Sequence, residues 1–378
     1  MKVLYAAGMM RWIGAGFLLF AVGCTTLEAT VVSPATQAPT TTVSTTTSIP
    51  TTTTTTVLPE GPPTTSTVPT TTSEQTERTG RPKPTGFGAP DPEMVMKEDQ
   101  AFLYATNVLM NNGFFNVPVW SSSDLTQWEF VGDALPTLGV WAEIGYTWAP
   151  GVLETDTGWV LYYTARVAGT TEKSALPAGE QCIGVAVADD PWGPFVDERD
   201  KPLVCQHELG GSIDPSPFVD AGGTSWLVWK SDGNAPHAST GVQLFVQELS
   251  LDGTALVGAS VVVLDAVTVG EEIIENPEIV RAANGSLWLV FSAGWWADDT
   301  YRVGLARCES PVGPCELSDR QVGTVGPLVG PGGVSVVDTG EESLVVFHTW
   351  VGGTAETGGT RQTVVTTLDE VWAYTQPN

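Results

Sequence analysis

Three acids in this chain stand directly before prolines at the starts of apolar stretches: Asp91 before Pro92, Asp214 before Pro215, and Glu275 two residues before Pro277. Carboxyl groups brought together cannot all ionise freely, so at least one is expected to keep its proton. A protonated carboxyl beside an ionised one is the pair that acid–base cleavage of a glycosidic bond requires. Singly, each acid has a plainer reading. Asp-Pro commonly opens a turn, Glu275 belongs to an acidic run with Glu271 and Glu272, and Glu278 competes with it from the other side of Pro277. What lifts the three above that reading is the equivalent place each takes in a repeated layout.

The layout is an X-Pro start, a short apolar strand, a polar turn and a longer aromatic-rich strand. It occurs in APDPEMVMKEDQAFLYATN from Ala89, WAPGVLETDTGWVLYYTA from Trp148, IDPSPFVDAGGTSWLVWKSDGN from Ile213 and IIENPEIVRAANGSLWLVFSAGWW from Ile273. A fifth copy without the proline, GGVSVVDTGEESLVVFHTW, starts at Gly332. The starts lie roughly sixty residues apart, which suits a repeated supersecondary unit such as a propeller blade. No helical period persists after Pro84, so the expected domain, residues 85–378, is an all-β five-bladed β-propeller. Its inner strands line a central channel, and the strand starts carrying Asp91, Asp214 and Glu275 converge at one mouth of it. The last strand, Gln362 to Thr367, is expected to close the ring with neighbouring blade edges.

Ahead of the propeller, Lys2 and Arg11 precede an apolar run from Trp12 to Val22 that ends at Gly23-Cys24, the layout of a secretory signal peptide over residues 1–23. Ala21-Val22-Gly23-Cys24 resembles a bacterial lipobox, which makes Cys24 a lipidated mature N-terminus and the product an extracellular, cell-surface lipoprotein; ordinary secretion is the alternative. Residues 24–84 are dominated by Thr, Pro, Ser and Val, a composition that cannot bury enough apolar surface to offset ordering, and form a disordered Thr/Pro-rich linker. Of the five cysteines, setting Cys24 aside leaves four, and two local disulfides, Cys182–Cys205 and Cys308–Cys315, are the expected pairing in an oxidising compartment. Neither pair has the CxxC spacing of a zinc site. The net charge of −27 argues against nucleic acid and against an anionic membrane surface, leaving membrane contact only through the lipid anchor.

The ordered set APDP, Asp124-Leu125-Thr126-Gln127-Trp128, TWAPGV from Thr147, Trp192-Gly193-Pro194-Phe195, IDPSPFVDAGG followed by LVWKSDGN, and ENPEIV followed by LVFSAGWW resembles glycoside hydrolase family 43 across about Phe87 to Tyr374. The resemblance implies a five-bladed propeller and an inverting hydrolase of arabinose- or xylose-containing polysaccharides or oligosaccharides. It implies Asp91 as general base, Asp214 as the second Asp that orients the acid, and Glu275 as general acid. The alternative is a non-catalytic glycan-binding or surface-interaction propeller. Glu275-Asn276-Pro277 and Gly330-Pro331-Gly332-Gly333 depart from the family's commoner phrases. His348 resembles a His near the family's channel axis that holds a water or a calcium ion, with a buried, hydrogen-bonded His favoured over metal contact, and Arg361 resembles an Arg brought near the active site, with a surface loop Arg as the alternative. Trp148, Trp295 and Trp296, at strand ends, are candidates to stack on sugar rings. With His348 and Arg361 they make up the expected substrate-binding set, beside no metal ligand for catalysis, no required cofactor, a structural calcium near His348, and a monomer. His207 and His237 carry no signal.

Overall fold

The computed structural model describes residues 84–372 and 376–377 except 112, 171–178, 236–237, 239 and 340–341. The expected signal peptide, Cys24, the linker as far as residue 83, and His237 lie outside the described residues. What is described is almost entirely antiparallel strand, arranged as the five blades of a propeller. Each blade begins with one of the five repeated segments. Their inner strands are Glu93–Lys97, Ala142–Thr155, Ser212–Val219, Ile274–Arg281 and Gly332–Asp338, and each pairs with the strand that follows it.

The blades are not uniform. Blades one and three have four strands in one sheet, and blade four has a fifth, the two-residue segment Gln376–Pro377, on its outer edge. Blades two and five have three. Blade one also carries an inserted hairpin, Val108–Met110 with Gly113–Phe115. The strand expected to close the ring, here Thr360–Thr367, is the third strand of blade five, paired with Ser343–Val351 along its whole length, and the closing contacts are made to it. Closure comes from the other end of the chain: Pro84 bridges Val364, and Thr85 donates its backbone N–H to the carbonyl of Thr363 at 2.8 Å.

The core lies between blades. Because side chains alternate across a strand, the central strand of a blade sends odd residues to one neighbour and even residues to the other. In Gly158–Val167, Trp159, Leu161 and Tyr163 join Phe102, Tyr104 and Val119 of blade one, whereas Val160 and Tyr162 join Leu227, Trp229 and Phe245 of blade three. Similar clusters fill the interfaces of blades three and four, four and five, and five and one. Sheets covered on both faces need unbroken apolar runs, which is why the aromatic-rich strands were the clearest part of the repeat. Buried Tyr hydroxyls are satisfied across the same interfaces, Tyr104 donating to the Pro191 carbonyl at 2.5 Å and Tyr162 to that of Gly253 at 2.7 Å. Both expected disulfides are present: Cys308–Cys315 ties the outer strands of blade four, and Cys182–Cys205 pins the segment after blade two's third strand.

Candidate active site

At one point in each inner strand, or in blade one just before it, the backbone turns left-handed. The residues are Asp91 (φ 50°), Ala149 (φ 39°), Asp214 (φ 55°), Asn276 (φ 46°) and Gly333 (φ 61°). A proline follows in the first four, and in blades two to five the pairing with the next strand slips across the same point. The left-handed region costs a residue with a Cβ about 1–2 kcal/mol, so the neighbours must hold it there. This superposition corrects the expected register: Asp91 and Asp214 are equivalent, but Glu275 comes one residue earlier, at the place of Trp148 and Ile213. Its longer side chain enters the same cleft from that earlier position.

A ring of hydrogen bonds holds the five turns. In four blades a residue near the end of the second strand, or in blade one just past it, accepts the backbone N–H of the left-handed residue in the next blade. Thr106 Oγ1 accepts from Ala149 at 3.0 Å, Thr164 Oγ1 from Asp214 at 3.1 Å, Ser292 Oγ from Gly333 at 2.9 Å, and His348 Nδ1 from Asp91 at 3.1 Å. In blade three the corresponding residue is Lys230, opposite Ile213 in register, and there Asp214 Oδ2 supplies the acceptor for Asn276 at 3.0 Å.

Asp91 is surrounded by donors. Thr106 Oγ1 donates to its Oδ2 at 2.7 Å and Arg361 Nη1 to its Oδ1 at 3.1 Å. Burial works to raise its pKa, but the Arg361 guanidinium, His348 and the Thr106 hydroxyl outweigh it and leave the carboxyl below its ordinary value. His348, expected in the substrate-binding set, is fully buried behind Asp91 and is not among the residues that line the cleft. Burial, with Arg361 nearby, depresses its pKa to about 3. Since Nδ1 spends its lone pair on the Asp91 N–H, the proton of the neutral ring sits on Nε2, which has no partner among the described residues. A protonated nitrogen cannot ligate a cation. The ring therefore does not fit the expected calcium as a direct ligand; its free group is a donor suited to a buried water.

Across the cleft, Glu275 accepts from Lys230 Nζ at 3.0 Å on Oε2, and the Tyr301 hydroxyl lies 2.8 Å from Oε1 and 2.9 Å from Asn276 Oδ1. Asp214 is buried, and desolvation, with Glu275 adding to it, pushes its pKa up to about 7 against the opposing pull of Lys230 and the Asn276 N–H. The site thus holds one carboxyl, Asp91, kept ionised and one, Asp214, whose proton is retained up to about pH 7.

Asp91, Asp214 and Glu275 share a cleft of about 480 Å³ with Trp148, Trp295, Trp296 and Arg361, a size within the range of small-ligand sites. Trp295 and Trp296 are 47% and 37% exposed, and Trp296 has Trp350 stacked at 6.3 Å and the Arg361 guanidinium 4.9 Å from its ring centroid. The exposed parts of the two indoles are apolar surface at the cleft. Sequence reasoning missed Thr106, Lys230 and Tyr301. Only Lys230 left a trace, as a cation in the otherwise apolar strand Leu227-Val228-Trp229-Lys230.

The sequence profile of glycosyl hydrolases family 43 matches residues 82–371. The chain belongs to that family. It is a glycosidase. Among curated proteins it is 28% identical to a β-D-galactofuranosidase of Aspergillus niger over 298 residues, covering 74% of this chain and 78% of that one. It is 29% identical over 198 residues to an arabinoxylan arabinofuranohydrolase of Bacillus subtilis, covering 44% of this chain and 35% of that one. Among solved structures, a thermostable family-43 glycoside hydrolase superposes with a TM-score of 0.63 at 26% identity, covering 75% of this chain and 90% of the other. An endo-arabinase of Bacteroides thetaiotaomicron shares the fold at 19% identity, with a TM-score of 0.60 and coverage of 76% and 97%.

Proposed function

We propose that this family 43 glycosidase is an inverting hydrolase of arabinose- or xylose-containing polysaccharides or oligosaccharides, with Asp91 as general base and Glu275 as general acid. The observation that carries the reading is the contrast across one cleft: Asp91 is held ionised by Arg361 and Thr106, while the Glu275–Asp214 pair opposite it includes a carboxyl pushed up to about 7. In the reaction Asp91 takes a proton from a water whose oxygen bonds to the anomeric carbon. The bond from that carbon to the leaving oxygen breaks, its electron pair stays on the oxygen, and Glu275 supplies the proton that oxygen needs. Asp214 shares the negative charge of the acidic pair, and Trp148, Trp295 and Trp296 offer faces for sugar rings. Names of relatives support the pentose or furanose class, since those compared act on galactofuranosides and arabinoxylan.

The test is proton NMR of the first anomer released from aryl α-L-arabinofuranosides and β-D-xylosides. Inversion is expected, and retention would assign the second carboxylate to nucleophilic attack instead. The reading extends to a monomer anchored outside the cell through lipidated Cys24; mass spectrometry of the mature N-terminus and light scattering of the purified domain test those two parts.

A further inference from the structure

Four of the five blades place a small acceptor or an imidazole where blade three places Lys230, and each of those four holds the next blade's turn. A lysine has no lone pair to do this when charged. It is 1% exposed, a costly place for an ammonium, and the holding task has passed to Asp214. The fold itself is therefore better served by Thr or Ser at this position. What the lysine does instead is reach Glu275 at 3.0 Å.

We propose that Lys230 is a positioning residue for the proton-donating step: its ammonium fixes the Glu275 carboxyl at the cleft and balances the negative charge left there when the proton departs to the leaving oxygen. This rests on Glu275 being the acid. The charged and titratable groups around the pair are Glu275, Asp214 and Asp232, which face Lys230, Tyr301 at the other oxygen of Glu275, and Asp91, which acts on Asp214. Burial opposes the charge on Lys230, but Glu275, Asp214 and Asp232 together more than offset it and raise its pKa, so the cation persists through the working range. An opposite charge at this distance stabilises the negative charge that develops on Glu275 as its proton leaves, so removing it weakens proton donation in the transition state.

The experiment compares Lys230→Thr, which restores the acceptor found in the other blades, and Lys230→Met, which keeps the side-chain volume. Each is assayed with a nitrophenyl pentoside, whose leaving group needs little protonation, and with a pentose disaccharide, whose leaving group needs it fully. For both variants kcat on the disaccharide should fall about 10- to 100-fold while the nitrophenyl rate stays within about threefold. The basic limb of kcat/KM should move up by about one pH unit, and Lys230→Thr should melt close to the wild type. Equal loss on both substrates, an unmoved basic limb, or collapse of both variants would assign Lys230 to the fold and overturn the proposal. A wild type that hydrolyses neither substrate would overturn the hydrolytic reading itself, a result distinct from any of these.

Discussion

Beneath the carboxyls of the cleft, Glu93 and Glu278 follow the prolines of blades one and four and sit in the channel wall, Glu278 buried and Glu93 largely so. Each reaches the next blade, Glu93 Oε1 accepting the Val152 N–H at 3.1 Å and Glu278 Oε1 that of Val336 at 2.6 Å. Burial raises Glu93 from 4.5 to about 7, and it raises Glu278 well above its ordinary value, with Glu93 adding to the effect. A carboxyl whose folded pKa is raised keeps its full contribution to stability below its unfolded pKa. The contribution is lost as pH climbs to the folded pKa, because between the two the folded state binds more protons. For Glu93 the loss is about 3 kcal/mol between pH 4.5 and 7. Glutamine keeps an oxygen for each N–H and carries no charge at any pH. The Glu93→Gln/Glu278→Gln variant should therefore melt above the wild type at pH 8 by about 6 °C or more, and the gap should close as pH falls to 5. Differential scanning calorimetry from pH 5 to 8.5 measures it. Parallel profiles, or a variant less stable at pH 8, would refute the argument that these carboxyls are buried as neutral acids.

Asp91→Asn should lower turnover of both activated and unactivated glycosides about 10²- to 10⁴-fold in steady-state assays, because no leaving group substitutes for an activated water. Glu275→Gln should lose as much on a disaccharide but far less on a dinitrophenyl glycoside, measured side by side. Gly333→Ala places a Cβ 2.8 Å from His348 Nδ1 and 3.1 Å from the Asp91 Cα, at φ 61°, so it should destabilise by about 1–3 kcal/mol in urea titration and lower kcat by moving the base. Replacing Cys182 and Cys205 by Ala should cost about 3 kcal/mol, slightly more than removing Cys308–Cys315, because 23 residues of separation close a longer loop than 7.

The five repeats were legible because every blade buries both faces of its central strand and so repeats the same apolar run, and because a proline marks four of the five turns. The seam was not legible: two residues, Pro84 and Thr85, close the ring, and such a stretch has no pattern apart from its partner. Asp91 and Asp214 could be read from their shared place beside a proline. Glu275 was grouped with them although its backbone position is one residue off, since counting to a proline cannot show which residue turns left-handed. Lys230, on a strand of blade three, and Tyr301, just before the strand Arg302–Cys308, reach Glu275 from 45 and 26 residues away along the chain, so their role depends on how the blades pack and not on local spacing. His348 was read toward the substrate because channel depth is invisible in a sequence.

The acceptor for the Asp91 backbone is His348, 257 residues further along the chain, and the guanidinium on its side chain belongs to Arg361, 270 residues away. The proposed base is therefore held from the first blade and the last. Blades one to four already contain Glu275, Lys230, Tyr301 and Asp214 in their mutual contacts, but of the groups that hold Asp91 they supply only Thr106. The positioning of the proposed base is complete only when blade five is docked on blade one, because His348 and Arg361 both come from the last blade.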